Sequence, residues 1–308
     1  MAFTTQDWKH AHPLESQRIG VVGRVGSGRT TLAVLIGREM TKRGYHVCFL
    51  DADTRPTESF RAFGLESPPE PLRDFLKGDS SSLSSRRIPY GDRKIHPSLM
   101  LPLEEIPKSF SSKTEEGIVF LSLEGAHPPE DLDMDEWILQ DLRIQEGRTR
   151  PVVLMKLDAD SKTPSPELLA SLDWVLVVVD PTYSSLELAA EVGDRVTRLQ
   201  KEAPAGTLVS DPIPGGDSQG SAFGESHHTG VLAVLNHIPD PETEQAFITA
   251  ISQQAHVQPV GAIREDWDMS ISGQSRRPVP HHKAELSVIK VLDQIEAMER
   301  RAALTATG

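Results

Sequence analysis

Short apolar runs separated by longer amphipathic stretches recur along this chain. Ile19–Val22, Val47–Leu50, Ile118–Leu123, Val152–Leu157, Trp174–Val179, Val231–Leu235 and Val260–Ile263 are each four to six residues long and mainly aliphatic. Runs of that length without polar alternation read as strands buried on both faces. Between them, apolar side chains recur at helical spacing. Thr30–Lys42 carries Leu32, Leu35, Ile36 and Met40, and Glu285–Arg301 carries Leu286, Ile289, Leu292, Ile295 and Met298. Leu186–Leu199 and Glu242–Gln254 read the same way, with a short helix near Leu72–Leu76. Strands alternating with helices predict an α/β fold: a doubly wound, mostly parallel sheet with helices on both faces. Such sheets bind ligands at the C-terminal ends of their strands. Those ends carry residues 24–31, Asp51, Asp53, residues 156–160, Asp180 and Asn236, which are expected to converge.

The first unit names a ligand class. Ile19–Val22 runs into Gly23-Arg24-Val25-Gly26-Ser27-Gly28-Arg29-Thr30-Thr31, and a helical pattern follows directly. This is the frame G-x-x-x-x-G-[K]-[ST] of a phosphate-binding loop (P-loop), with Arg29 where the lysine belongs. Glycines in such a loop let backbone N–H groups wrap a polyphosphate, and the hydroxyl after the cation reaches Mg²⁺. Lys42-Arg43-Gly44 ends the helix with basic residues and a glycine stop. The next strand ends in Asp51-Ala52-Asp53.

Composition narrows the class further. The 308 residues carry a formal net charge of -13 and no long basic tract, which disfavours nucleic-acid binding. Aromatic content is only 5%, so the core must be aliphatic, as parallel sheets are. Cys48 is the sole cysteine: it has no disulfide partner and alone builds no thiolate metal site. No apolar run approaches the ~18 residues that span a bilayer, and Met1–Gln17 is polar. A cytoplasmic protein that engages no membrane is expected. The chain divides into a tail (1–17), one P-loop domain (18–301) and a C-terminal tail (302–308). Within the domain, 54–117 is variable in character and 202–229 is a loop rich in Gly, Pro, Ser and His. Residues 124–141 hold seven acids and no base, a pattern fitting a solvated helix face better than a partner-docking helix. One adjacent histidine pair, His227-His228, is too little to define a metal site.

These motifs together resemble the deviant-Walker (SIMIBI-type) P-loop ATPases: the MinD/ParA type, the nitrogenase iron protein and the accessory ATPase of carbon monoxide dehydrogenase maturation. The family loop G-K-G-G-x-G-K-T-T aligns with Gly23–Thr31, and its D-x-D-P with Asp51-Ala52-Asp53-Thr54. Asp180-Pro181 with Ser184-Ser185-Leu186 resembles the family's V-x-x-P-x-x-x-S segment, and Val234-Leu235-Asn236-His237 its V-x-N-K segment. The resemblance implies ATP or ADP bound by Gly23, Gly26, Ser27, Gly28, Arg29, Thr30 and Thr31, with Asn236 on the adenine edge. It implies Mg²⁺ held by Thr30 with Asp53, Asp53 also standing near the attacking water, and a homodimer sandwiching nucleotide. Arg24 would then act across the interface.

Three positions depart from that pattern. Both loop lysines are arginines, Arg24 and Arg29, and a planar guanidinium is not a compact ammonium. Counting back from Leu172-Asp173 places Lys156 where the family keeps a Mg²⁺-assisting aspartate. Either a two-residue shift hands that role to Asp158, or Lys156 supplies to the phosphates the ammonium missing from the loop. With Cys48 alone, the interfacial cysteine metal site of some relatives does not carry over. Two functions remain open. One is an ATP/ADP-dependent accessory or scaffold with degenerate, weak or absent hydrolysis and an unidentified protein partner. The other is a slow ATPase switch for maturing or positioning a partner complex, using Thr30 and Asp158 for Mg²⁺, Asp53 for water and Arg24 in trans.

Overall fold

The computed structural model describes residues 12–53, 58–78, 99–123, 139–140, 142–147, 149–157, 163–202, 229–254, 256–266, 268–269, 277–280 and 284–306. Asp158, Asp160, His227-His228 and nearly all of the acidic stretch 124–141 lie outside these residues. The strands are β1 (Arg18–Gly23), β2 (Val47–Ala52), β3 (Leu99–Pro102), β4 (Ser112–Lys113), β5 (Val119–Ser122), β6 (Leu142–Gln145), β7 (Val152–Leu157), β8 (Trp174–Val179), β9 (Gly230–Ile238) and β10 (Gln258–Arg264). The helices are α1 (Arg29–Lys42), α2 (Ser59–Ala62), α3 (Leu72–Gly78), α4 (Pro166–Ala170), α5 (Tyr183–Glu202), α6 (Pro241–Ser252) and α7 (Glu285–Ala306).

All seven aliphatic runs are strands of one eight-stranded sheet, in the order β10-β9-β8-β1-β7-β2-β5-β4. Every neighbouring pair is parallel except the short edge pair β4–β5. Alternate side chains feed two cores. Val153, Met155 and Leu157 of β7 and Val175, Val177 and Val179 of β8 pack with Leu188, Val192 and Val196 of α5 on one face. Val152 and Leu154, with Trp174, Leu176 and Val178, pack with Leu32, Leu35 and Ile36 of α1 and Val288, Val291 and Ile295 of α7 on the other. This period-two division of fully aliphatic strands is what helices on both faces require.

The pair β3–β6, a second, two-stranded parallel sheet, was not predicted from the pattern. Its strands are four residues each. Pro102 ends one, and the alternation Leu142-Arg143-Ile144-Gln145 in the other reads as the tail of the acidic stretch. Cys48 is fully buried in β2, where burial pushes its thiol well above the ordinary range. Among the described residues, no helix is long and apolar enough to cross a membrane.

At the N-terminal end of β1, Glu15 has both carboxylate oxygens buried and without a hydrogen-bond partner among the described residues. Burial pushes its carboxyl up to about 7; Glu146 adds to the rise and His46, itself 2.9 Å from Glu146, opposes it. A carboxyl raised in the folded state weakens folding as pH climbs. The cost is absent below the unfolded value of 4.5, grows between 4.5 and about 7, and is complete above that. Glu15→Gln should therefore stabilise the chain above pH 7, by about 1 kcal/mol after discounting for the solvent reaching a half-buried group. Below pH 4.5 it should change nothing. Thermal melts of both chains across that range check the sign; a Gln variant less stable at high pH contradicts it.

Candidate functional site

α4 and α6 carry their own caps. Ser165 Oγ accepts from Leu168 N, and Asp240 Oδ1 accepts from Thr243 N at 2.7 Å, each followed by proline at the first helical position. α1 has no side-chain cap and no acid in its first turn. Its N-cap is Gly28 at φ +94°, and Gly26 sits at φ +81°. Non-glycine residues seldom occupy that left-handed region. The uncapped N-terminus of a buried helix, led in by a glycine loop, is an anion site.

Close packing shapes the loop. A Cβ on Gly28 would stand 2.0 Å from Asn236 Nδ2, and one on Gly23 would stand 2.6 Å from Ser27 Oγ. Asn236, near the end of β9, donates from Nδ2 to the Ser27 carbonyl at 2.7 Å, pinning the loop to the sheet. Ser27 is fully buried, yet its Oγ has no hydrogen-bond partner among the described residues. A buried hydroxyl without a partner fits a ligand that brings an acceptor. Thr30 and Thr31 stand half-buried in the first turn of α1.

The cations are placed otherwise than the loop alone implies. Arg29 is only 6% exposed. Its Nη1 donates to the Leu157 carbonyl at 2.7 Å, and its Nη2 meets Asp53 Oδ2 at 3.4 Å. The guanidinium is thus engaged along the end of β7 and with Asp53. Lys156, 3% exposed on β7, sends its ammonium to the same place. Nζ lies 3.3 Å from Asp51 Oδ1, 3.3 Å from Asp53 Oδ2 and 2.9 Å from Ser59 Oγ at the start of α2. The register explains the first contact, because Asp51 of β2 stands directly beside Lys156 of β7. Among the described residues, two carboxylates and two cations form one buried cluster beneath the loop. The glycine loop and helix start suit a polyphosphate. An ammonium and a guanidinium share the Asp53 Oδ2.

Arg24 is half-exposed and reaches the Ser184 carbonyl at 3.5 Å. Asp180 accepts from Thr182 and Ser185 at the start of α5. These contacts bring together the loop, Asp51, Asp53, Lys156 and Asn236; residues 158–160 lie outside the described residues. Ser59 escaped notice because its helix is a single turn with no apolar period, and the Asp51–Lys156 contact depends on strand order. Asp158, the other residue considered for the metal, lies outside the described residues.

A strand, a glycine loop and an uncapped helix start at the centre of a doubly wound parallel sheet define a P-loop nucleotide-binding fold. The fold is that of the MinD/ParA ATPases. The MinD protein of Pyrococcus horikoshii, solved in complex with Mg-ADP, superposes with a TM-score of 0.57 at 16% identity, over 91% of this chain and 95% of that one. MinD in the MinC:MinD complex of Aquifex aeolicus superposes with a TM-score of 0.56 at 16% identity, over 91% and 96%. A curated relative, an uncharacterized ATP-binding protein of Methanocaldococcus jannaschii, is 19% identical over 198 residues, 60% of this chain and 75% of that protein. No family model matches the chain.

Proposed function

We propose that this chain is a MinD/ParA-like protein that binds ATP or ADP and acts as a nucleotide-dependent accessory or scaffold, with weak or absent hydrolysis. The observation that carries this reading is the split within the loop: its glycine cradle is kept, while Arg29 is engaged with Leu157 and Asp53. Backbone N–H groups of Gly26 and residues 28–31 hold the phosphates, the Ser27 N–H being engaged by the Arg24 carbonyl, and Ser27 Oγ adds a donor. Asn236 keeps Nδ2 on the loop and presents Oδ1 to the adenine amino group. Asp53, held by two cations, is poorly placed to polarise an attacking water. The domain runs over residues 18–301, in the cytoplasm.

Its partners are a second copy and a further, unidentified protein; the Aquifex aeolicus structure with this fold is a MinC:MinD complex. Val25, 57% exposed, and Tyr183, 76% exposed, flank the Arg24–Ser184 contact on the loop side and supply an apolar surface for that copy. The test is a fluorescent-nucleotide titration beside ATP turnover. Binding without turnover above background is the expected result. Turnover that disappears in Thr30→Ala would support the slow ATPase switch instead, in which Thr30 and Asp158 position Mg²⁺, Asp53 orients water and Arg24 acts in trans. Absence of binding removes both nucleotide readings.

A further inference from the structure

We propose, on the nucleotide-binding reading above, that His237 is a phosphate-contact residue of the site, its imidazole Nε2–H donating to a phosphate oxygen beside Gly28. His237 follows Asn236 in β9, and alternation along a regular strand would send the two side chains to opposite faces. The backbone prevents that. Between the pairs Leu235–Ala262 and Ile238–Arg264, β9 holds one residue more than β10, a bulge at Asn236-His237. His237 itself sits at φ +56°, a left-handed conformation that few non-glycine residues adopt. Bulges next to binding sites re-aim side chains in this way. Here Asn236 and His237 reach the same point: a Cβ on Gly28 would stand 2.0 Å from Asn236 Nδ2 and 3.4 Å from His237 Nε2.

Gly28 is the N-cap of α1, so the imidazole tip stands at a helix end that has no side-chain cap and favours an anion. The buried, unpartnered Ser27 Oγ in the same loop is an independent sign that a ligand with acceptors belongs there. His237 is half-buried, and neither ring nitrogen has a hydrogen-bond partner among the described residues. No described group therefore fixes its tautomer, and an anion beside Gly28 selects the form with the proton on Nε2. Asn236 gives its Nδ2 to the Ser27 carbonyl, so His237 brings the second donor of this adjacent pair. Stacking on the purine is the competing role for a flat ring. The atom of His237 nearest the Gly28 Cβ position decides between them, because it is Nε2, the polar tip. The ligand group is thus a phosphate of the nucleotide, not its base.

The test uses the full chain, a fluorescent ADP analogue, and inorganic tripolyphosphate as its competitor. His237→Asn keeps a residue that tolerates φ +56° but has a shorter side chain. Its affinity for the ADP analogue should fall about tenfold, the step that corresponds to ~1.4 kcal/mol, and tripolyphosphate should weaken by the same factor. His237→Gln, whose amide N–H reaches about as far as Nε2, should recover most of both. A loss confined to the ADP analogue would place the ring on the base and overturn the proposal. So would a change of less than about threefold in either ligand, or tripolyphosphate that fails to compete on the wild-type chain. A Gln variant as weak as the Asn variant overturns it too, since packing rather than a donor would then be at work. All of these outcomes leave nucleotide binding by the wild-type chain in place; its absence removes the nucleotide reading itself. Should the Asn variant fail to fold, His237→Gly, which adopts a positive φ without strain, takes its place in the same titrations.

Discussion

Gly28→Ala should abolish nucleotide binding while leaving most of the sheet intact. Gly28 is the N-cap of α1 at φ +94°, where an L-residue costs roughly 1–2 kcal/mol. Its added Cβ would meet Asn236 Nδ2 at 2.0 Å, a distance no contact tolerates, so the loop or the asparagine must move. Either movement breaks the 2.7 Å bond from Asn236 to the Ser27 carbonyl. Leaving such buried polar groups unpaired costs a further ~1–3 kcal/mol. The strain falls on the N–H groups that are to face the phosphates, so an affinity loss of about 30-fold or more is expected. Gly26→Ala is the matched control: its φ of +81° is equally demanding, but nothing lies within 4 Å of the added Cβ. It should cost only the backbone term. Titrations of both variants, with melts to monitor folding, separate contact from conformation. If Gly28→Ala bound nucleotide as tightly as the wild-type chain, the phosphates would not sit on this loop.

The contrast between these glycines shows which parts of the site a sequence carries. The loop frame, the strand before it and the helix after it are local, and periodicity alone places them within a residue or two. Arg29 illustrates the opposite case. Its identity is legible, but its direction is set by the Leu157 carbonyl and by Asp53, which reach it only after β2 and β7 pair. Lys156 is intermediate. Spacing from Asp173 brings it to the site, and its buried position on β7 follows from the aliphatic run. The expectation that its ammonium reaches toward phosphate did not include Asp51 and Ser59, which strand register and a one-turn helix deliver. The β3–β6 pair was hidden for a related reason. Short strands with a proline or with polar alternation have no signal until a partner gives them one. What the chain withheld was non-local pairing, and the charge arrangement of the site is built from such pairing.

That arrangement yields the second large effect. Lys156→Ala removes one cation from a buried cluster and leaves Asp51 and Asp53, each about 5% exposed, with Arg29 as the nearby guanidinium among the described residues. Breaking a buried ion pair by deleting one partner costs ~3–5 kcal/mol, because the stranded charge has lost its solvent and its counter-ion. For a chain of 308 residues that corresponds to a fall in Tm of roughly 5–8 °C. The carboxylates, not the lost stem, should dominate the loss. Lys156→Met combined with Asp51→Asn removes one charge of each sign and should recover much of the stability. Lys156→Met alone, which keeps the buried apolar volume, should remain nearly as unstable as the alanine variant. A Lys156→Ala chain within about 1 kcal/mol of wild type would mean that Arg29 alone balances both acids. The ammonium would then be incidental to the charge balance of the site.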